Sequence, residues 1–119
     1  MATPDATGTF RQGTDNFPNH KTLMSCYFIA HISIYDNDEY QKYLDKAGAI
    51  FSKYRGEYLA VDNATEVLEG SREYDRTVLI RFDTIRDFDE WYRSEEYQEI
   101  LKHRLKAARC DTVLVKGLD

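Results

Sequence analysis

Hydrophobic and polar residues alternate along three segments of the chain, residues 26–34, 77–82 and 110–116. A period of two is typical of β-strands in which the side chains on one face are apolar and buried and those on the other face are more polar. Two shorter extended segments, residues 57–62 and 65–69, lie on either side of an Asp-Asn turn. The pattern therefore predicts four strands, of which the second is split by this turn.

Between these strands the apolar residues recur at spacings of three, four and seven, as they do on one side of an α-helix. One helix is predicted over residues 40–54, with Asp36 as its N-cap and Gly56 behind it as a left-handed C-terminal cap. A second helical segment follows Thr84, and Ser94 interrupts it and caps a new start. We expect two helical regions, the second in two pieces.

The order strand, helix, strand, strand, helix, strand is the ferredoxin-like arrangement. We expect an α+β fold in which residues 24–119 form one antiparallel sheet with the helices on one face. Residues 1–23 contain both prolines and almost no periodic apolar pattern, which predicts a flexible N-terminal extension. Cys26 and Cys110 begin the first and last strands, so antiparallel pairing separates them and no disulfide is expected.

The other face of the predicted sheet carries no helices. Tyr27, Ile29, Leu79 and Leu114 are expected on this uncovered face, which is a large apolar surface for a small domain. A second copy of the chain, stacked sheet on sheet, covers it most economically. The sequence therefore predicts a homodimer through the sheet faces.

His31 and Arg81 are the candidate catalytic residues, because both are expected on the uncovered face, on adjacent central strands, pointing into one cavity. An imidazole changes charge near neutral pH, as general acid-base catalysis requires. A guanidinium holds a carboxylate, enolate or phosphate well. Two alternatives stay open: His31 is only a hydrogen-bonded interface residue, and Arg81 pairs with an acidic residue of the partner chain.

A second set of residues is expected to form a ligand pocket. Arg76, Glu69 and Arg104 would line its mouth, with a structural Arg-Glu bridge as the alternative. Aromatic residues would supply the surface that a flat organic ligand needs, with a role in the helix-sheet core as the alternative. These aromatic candidates are Tyr27, Tyr58, Trp91, Tyr92 and Tyr97.

Composition and charge narrow the classes of partner. The chain has 119 residues, and its 16 basic and 21 acidic residues give a net charge of −5, so nucleic acid is not expected as a partner. The absence of a secretory signal and of a long apolar run, together with only two cysteines, favours a cytoplasmic protein without a membrane partner. The three histidines are scattered and no phosphate-binding glycine loop occurs, so neither a metal nor another cofactor is expected.

Nearly the whole predicted domain, residues 24–119, resembles the bacterial domain of unknown function 1330 family of the dimeric α/β-barrel superfamily. The resemblance rests on residues 27–30, Tyr40, Tyr43, residues 54–58, residues 66–70, Arg76, residues 91–97 and Arg104. It implies a homodimer with facing sheets and no defined activity. The chain departs from the family pattern at Arg55-Gly56, where two glycines are usual, and at Arg81, where a glutamate is usual.

Two functions remain open at the level of sequence. Related branches of the superfamily look like cofactor-free oxygenases, isomerising enzymes and ligand-binding domains, and such a likeness is analogy only. The first function is therefore a cofactor-independent acid-base enzyme, isomerase- or oxygenase-like, that acts on a small aromatic or acidic organic molecule. The second is a non-catalytic module that binds a ligand or another protein.

Overall fold

The computed structural model describes residues 23–118, so the predicted extension, apart from Leu23, lies outside the described residues. The sheet has the strand order β2-β3-β1-β4, and every neighbouring pair is antiparallel. This arrangement confirms the ferredoxin-like α+β fold. The elements are β1 (Cys26–Ile34), α1 (Asn37–Phe51), β2 (Gly56–Asp62), β3 (Arg76–Phe82), α2 (Ile85–Tyr92), α3 (Glu95–Ala107) and β4 (Ala108–Lys116).

Each helix begins at the side-chain cap that the sequence predicts. The Asp36 carboxylate accepts a hydrogen bond from the Glu39 backbone at 3.0 Å at the start of α1. Thr84 caps α2 and Ser94 caps α3 in the same way, at 3.0 Å and 3.1 Å. These bonds satisfy backbone donors that have no partner within the helix, so the boundaries of the helices follow from local chemistry.

An aromatic cluster joins the helices to the sheet. Phe28 of β1, Phe82 of β3 and Phe51 of α1 pack around Trp91 of α2, with ring centres 5.5–5.6 Å from the indole. All four side chains are buried. Because aromatic rings bury large areas and pack at fixed angles, this cluster sets the distance between the helix layer and the sheet.

Gly56 does not act as a left-handed cap, and this prediction is wrong. Helix α1 ends earlier, at Phe51, and Gly70 is the glycine with a positive φ among those described. Gly56 instead begins β2 directly against two rings. A β-carbon there would lie 2.5 Å from Cζ of Phe51 and 2.7 Å from Cε1 of Phe82, so the position requires glycine for space.

The predicted extended segment at residues 65–69 is not a strand. The chain is irregular between the end of β2 and the start of β3, and Leu68 is 84% exposed. Val67 and Leu68 lie outside the hydrophobic core, and no strand of the sheet includes this segment, so an extended conformation is not stabilised there.

The sheet register corrects one residue of the uncovered face. Ile29 lies opposite Leu79 of β3 and Val113 of β4, whereas Leu114 lies opposite Phe28, which is buried on the helix side. Paired residues share a face, so Leu114 belongs to the helix side. We call Tyr27, Ile29, Leu79, Val113 and Val115 the open-face row.

Cys26 and Cys110 are both free, as predicted. Cys26 pairs with Lys116 at one end of the β1-β4 ladder, and Cys110 pairs with Ile32 near the other. The antiparallel register thus separates the two thiols along the sheet.

We expect Gly56→Ala to lower the free energy of unfolding by about 1–3 kcal/mol, because the buried rings of Phe51 and Phe82 have no room for a methyl group. Gly48→Ala is the matched control. Gly48 lies in α1, and no atom of the described residues lies within 4 Å of an added β-carbon, so the change should stabilise by about 0.5–1 kcal/mol. Urea denaturation measures both, and a neutral Gly56→Ala variant would contradict the packing argument.

Candidate functional site

A cavity of about 50 Å³ lies between the helix layer and the sheet. Side chains of α1, α2, α3, β1, β2 and β3 form its wall. The apolar part of the wall includes Phe28, Ala30, Ile32 and Ala47. Its polar part consists of Tyr40, Tyr43, Tyr58, Arg76, Trp91, Tyr97 and Arg104.

Arg104 is the most unusual of these residues, because it carries a charge in the core. It is 3% exposed, and its guanidinium lies 5.6 Å from the centre of the Tyr43 ring. Burial acts to lower the pKa of Arg104, but Tyr97, Tyr43 and Cys110 outweigh it, so the pKa is raised and the group stays charged. Among the residues that the structure describes, its Nη1 atom has no hydrogen-bond partner.

Two further donors of the cavity wall share this property. Arg76 donates from Nη1 to Asn63 Oδ1 at 2.8 Å, but its Nε atom is buried without a partner. The indole Nε1 of Trp91 is likewise buried without a partner. Within residues 23–118 these are, with Arg104 Nη1, the buried side-chain nitrogen and oxygen atoms left unsatisfied. Each typically costs about 1–3 kcal/mol, and all three belong to residues that line one cavity, so their occurrence there requires an explanation.

The tyrosines of the cavity are proton donors rather than bases. The hydroxyl groups of Tyr43 and Tyr97 lie 2.7 Å apart and link α1 to α3. Burial raises the pKa of both phenols, that of Tyr43 strongly. Burial also raises the pKa of Tyr40, while the positive charges of Arg76 and Arg104 both act to lower it.

No acidic side chain and no histidine lines the cavity, as far as the structure describes the chain. In that same part of the chain, no three His, Cys, Asp or Glu residues are grouped in a way that could hold a metal ion. The wall therefore offers hydrogen-bond donors and positive charge, without a group that accepts a proton near neutral pH.

The structure brings together five of the residues predicted for the ligand pocket: Tyr58, Arg76, Trp91, Tyr97 and Arg104. Tyr92 packs in the core, stacked on Phe88 at 5.2 Å between ring centres. Glu69 is exposed in the irregular segment, and no ion pair joins it to either arginine among residues 23–118. Tyr27 lies in the open-face row, on the other side of the sheet.

Two cavity residues, Tyr40 and Tyr43, were not among the predicted site residues. Both lie on the inner side of α1, one helical turn apart, where periodicity identifies them only as core positions. The feature that could have singled them out is the polar end of each ring, because a buried phenol needs a hydrogen-bond partner.

His31 and Arg81 share the uncovered face, but they are not neighbours within one chain, and their convergence on a cavity between two facing sheets stays a prediction. His31 lies opposite Thr77, four positions from Arg81 along β3, which corresponds to about 13 Å. His31 Nδ1 contacts Thr77 Oγ1 at 3.2 Å, and its ring stacks on Tyr74 at 4.6 Å. Arg81 pairs with Asp83 of its own chain. A catalytic role for either residue stays a prediction.

The fold and the cavity define a class: a ferredoxin-like α+β domain with a small, buried, positively charged cavity under its helices. The model of the domain of unknown function DUF1330 matches residues 25–118, and the chain belongs to this family. No curated protein matches the chain. No helix within residues 23–118 is long and apolar enough to cross a membrane.

Solved structures with similar folds support the architecture. A protein of unknown function from Rhodopseudomonas palustris is 19% identical, with a TM-score of 0.67 over 82% of this chain and 85% of that one. SnoaB, a cofactor-independent oxygenase from Streptomyces nogalater, is 9% identical, with a TM-score of 0.57 over 81% of this chain and 95% of that one. A conserved protein from Methanosarcina mazei is 12% identical, with a TM-score of 0.51 over 82% of this chain and 94% of that one. Because all three sequences are at most 19% identical to this chain, the likeness shows a shared fold and nothing further.

We expect Tyr43 to make stability fall at alkaline pH. Burial raises the pKa of Tyr43 above its ordinary value in the folded state, so above about pH 10 the unfolded chain loses a proton that the folded chain keeps. The free energy of unfolding should therefore decrease as the pH rises from 9 to 11. This decrease should be smaller in Tyr43→Phe.

Urea denaturation at several pH values measures this dependence. Tyr35→Phe is the matched control, because Tyr35 is 68% exposed and solvent surrounds its phenol in both states. Equal alkaline losses in Tyr43→Phe and in the unaltered protein would contradict the assignment.

Proposed function

We propose that this protein is a homodimer and that each subunit binds a small organic molecule in the cavity between its helices and its sheet. The observation that carries this proposal is that three residues of the cavity wall, Arg76, Trp91 and Arg104, each have a buried donor without a partner, in a core whose other described buried polar side chains have partners. Ligand sites typically combine an apolar wall with a few converging polar groups. A bound molecule that accepts hydrogen bonds would remove the cost of these donors.

Binding without catalysis is the function that the chemistry of this cavity supports best. General base catalysis needs a group that accepts a proton near neutral pH. The described wall holds phenols with raised pKa values and two guanidinium groups, all of which are donors. These groups hold a ligand firmly, but they do not abstract a proton from it.

The size of the cavity restricts the ligand. One water molecule needs roughly 10–15 Å³ of such space, so about 50 Å³ accommodates three or four non-hydrogen atoms. Sites for drug-sized molecules measure roughly 300–1,000 Å³. This favours a small acidic or polar molecule over the flat aromatic ligand that was the other expectation.

The open-face row supports the homodimer. Val113 and Val115 are 52% and 44% exposed, and the row continues across β1 to Leu79 of β3. An apolar sheet face is normally buried against another layer, and the described helices all cover the opposite face. A second copy of the chain presents the same open-face row, so two sheets stacked face to face would bury the rows of both subunits.

We expect Ala47→Leu to abolish ligand binding, because Ala47 lines the cavity on α1 and the larger side chain fills it. Ala49→Leu is the control, since Ala49 lies on the exposed side of the same helix. Saturation-transfer NMR with a panel of acids, amides and alcohols of up to five non-hydrogen atoms measures binding. If no member of the panel binds the unaltered protein, or if Ala47→Leu binds equally well, the proposal fails.

We expect the full chain to be a dimer, and Val113→Asp to make it a monomer, because the substitution places a carboxylate in the centre of a stacked apolar interface. Leu105→Asp is the control, since Leu105 is 59% exposed on α3, on the helix side. Light scattering coupled to size-exclusion chromatography measures the mass. A monomeric unaltered protein, or a Val113→Asp dimer, contradicts the facing-sheet arrangement.

Acid-base catalysis at His31 is the second candidate function. Thr65 contacts Thr77 at 2.7 Å, and Thr77 in turn contacts Nδ1 of the half-buried imidazole, so the ring is oriented at the proposed dimer interface. The fold shared with SnoaB, a cofactor-independent oxygenase, supports cofactor-free chemistry as an alternative.

Hydrogen-deuterium exchange separates the two candidate functions. With pyruvate and similar small oxo acids in deuterium oxide, the binding function predicts no exchange at carbon above the rate of buffer alone. Exchange that is catalysed by the unaltered protein and abolished by His31→Gln would establish acid-base catalysis at His31, and the absence of exchange would contradict it. Proton NMR follows the loss of the exchanging signal.

A further inference from the structure

We propose that the ligand of this cavity is a small monocarboxylate, whose carboxylate is bound by Arg76 Nε, Trp91 Nε1 and Arg104 Nη1. The inference rests on the proposed function, because it names the chemical class of the molecule held at that same site.

The charge of the wall is the first argument for an anion. Arg104 is 3% exposed and pairs with no acidic side chain of residues 23–118, and Arg76, another residue of the cavity wall, has a buried Nε without a partner there. A buried charge is normally paired, because its removal from water is otherwise uncompensated. Among the described lining residues no Asp or Glu supplies that pairing. A neutral ligand would satisfy the donors but would leave the positive charges uncompensated. An anion would satisfy the donors and also compensate the charges.

The number of donors and the volume favour a carboxylate over a larger oxyanion. A carboxylate offers two oxygen atoms that accept about four hydrogen bonds, which suits three unsatisfied donors. Acetate has four non-hydrogen atoms, as many as about 50 Å³ accommodates. Ala30 and Ala47 supply an apolar part of the wall for its methyl group. A phosphate has more oxygen atoms than these donors satisfy.

Trp91 provides a direct measurement, because it is the single tryptophan of the chain and its indole N–H is one of the three proposed donors. The full-length protein is titrated with acetate at constant ionic strength, and the indole resonance is followed by proton-nitrogen NMR. We expect a saturable displacement of this resonance. Acetamide, which has the same shape and no charge, should bind at least tenfold more weakly.

Variants locate the site. Arg76→Met should weaken acetate binding at least tenfold, and Arg76→Lys, which keeps the charge but removes Nε, should also weaken it. Arg93→Met is the charge-matched control, because the Arg93 side chain is 70% exposed and pairs with Asp89. Its affinity for acetate should equal that of the unaltered protein. If Arg93→Met weakens binding as much as Arg76→Met, the effect is general electrostatics and the proposed site is wrong.

The outcomes separate this inference from the proposed function. Equal binding of acetamide and acetate overturns the anionic class, while the cavity remains a binding site. Tighter binding of phosphate than of acetate overturns the assignment to a carboxylate. If acetate gives no displacement while neutral members of the small-molecule panel bind, only the inference fails. If nothing in the panel binds, the proposed function fails with it.

Discussion

A positive charge enclosed in the core, that of Arg104, is the constraint that governs the cavity. Arg104 is held among aromatic rings with an unsatisfied donor, and Arg76 and Trp91 contribute two more donors to the same cavity. Unsatisfied buried donors cost about 1–3 kcal/mol each, a considerable share of the stability of a domain of this size. Sites that bind ligands commonly carry such costs in the free protein.

The secondary structure brings the three donors together. Arg76 is the first residue of β3, Trp91 lies in the last turn of α2, and Arg104 lies in the last turn of α3. The caps of Thr84 and Ser94 set where the two helices begin. Each of these elements thus contributes one residue to the cavity wall, and local hydrogen bonds fix where the two helices begin.

The walls of the cavity are held by packing on one side and by a hydrogen bond on the other. The close approach of β2 to Phe51 and Phe82 at Gly56 holds α1 against the sheet. The bond between the hydroxyl groups of Tyr43 and Tyr97 joins α1 to α3. Protein interiors are close-packed, so a cavity stays open only where other contacts hold the side chains of its wall in place.

Local periodicity accounts for the parts of the structure that could be predicted. Alternation and capping residues identify the strands and helix starts, and family motifs contain Arg76, Trp91 and Arg104. The separation of His31 from Arg81 and the side on which Leu114 lies both depend on strand register. Register is a property of the assembled sheet. Tyr40 and Tyr43 have the spacing of ordinary core residues, so only the three-dimensional arrangement shows that they line a cavity.

The most direct test of the central claim is the stability of Arg104→Met in buffer free of small acids. If the role of Arg104 is to bind a ligand, its unpaired charge destabilises the ligand-free protein. Replacing it with an apolar side chain of similar length then removes the free-energy cost of burying that charge. We expect the free energy of unfolding of Arg104→Met to be at least as large as that of the unaltered protein. A clear loss of stability would show that Arg104 serves the fold itself, and it would contradict the account.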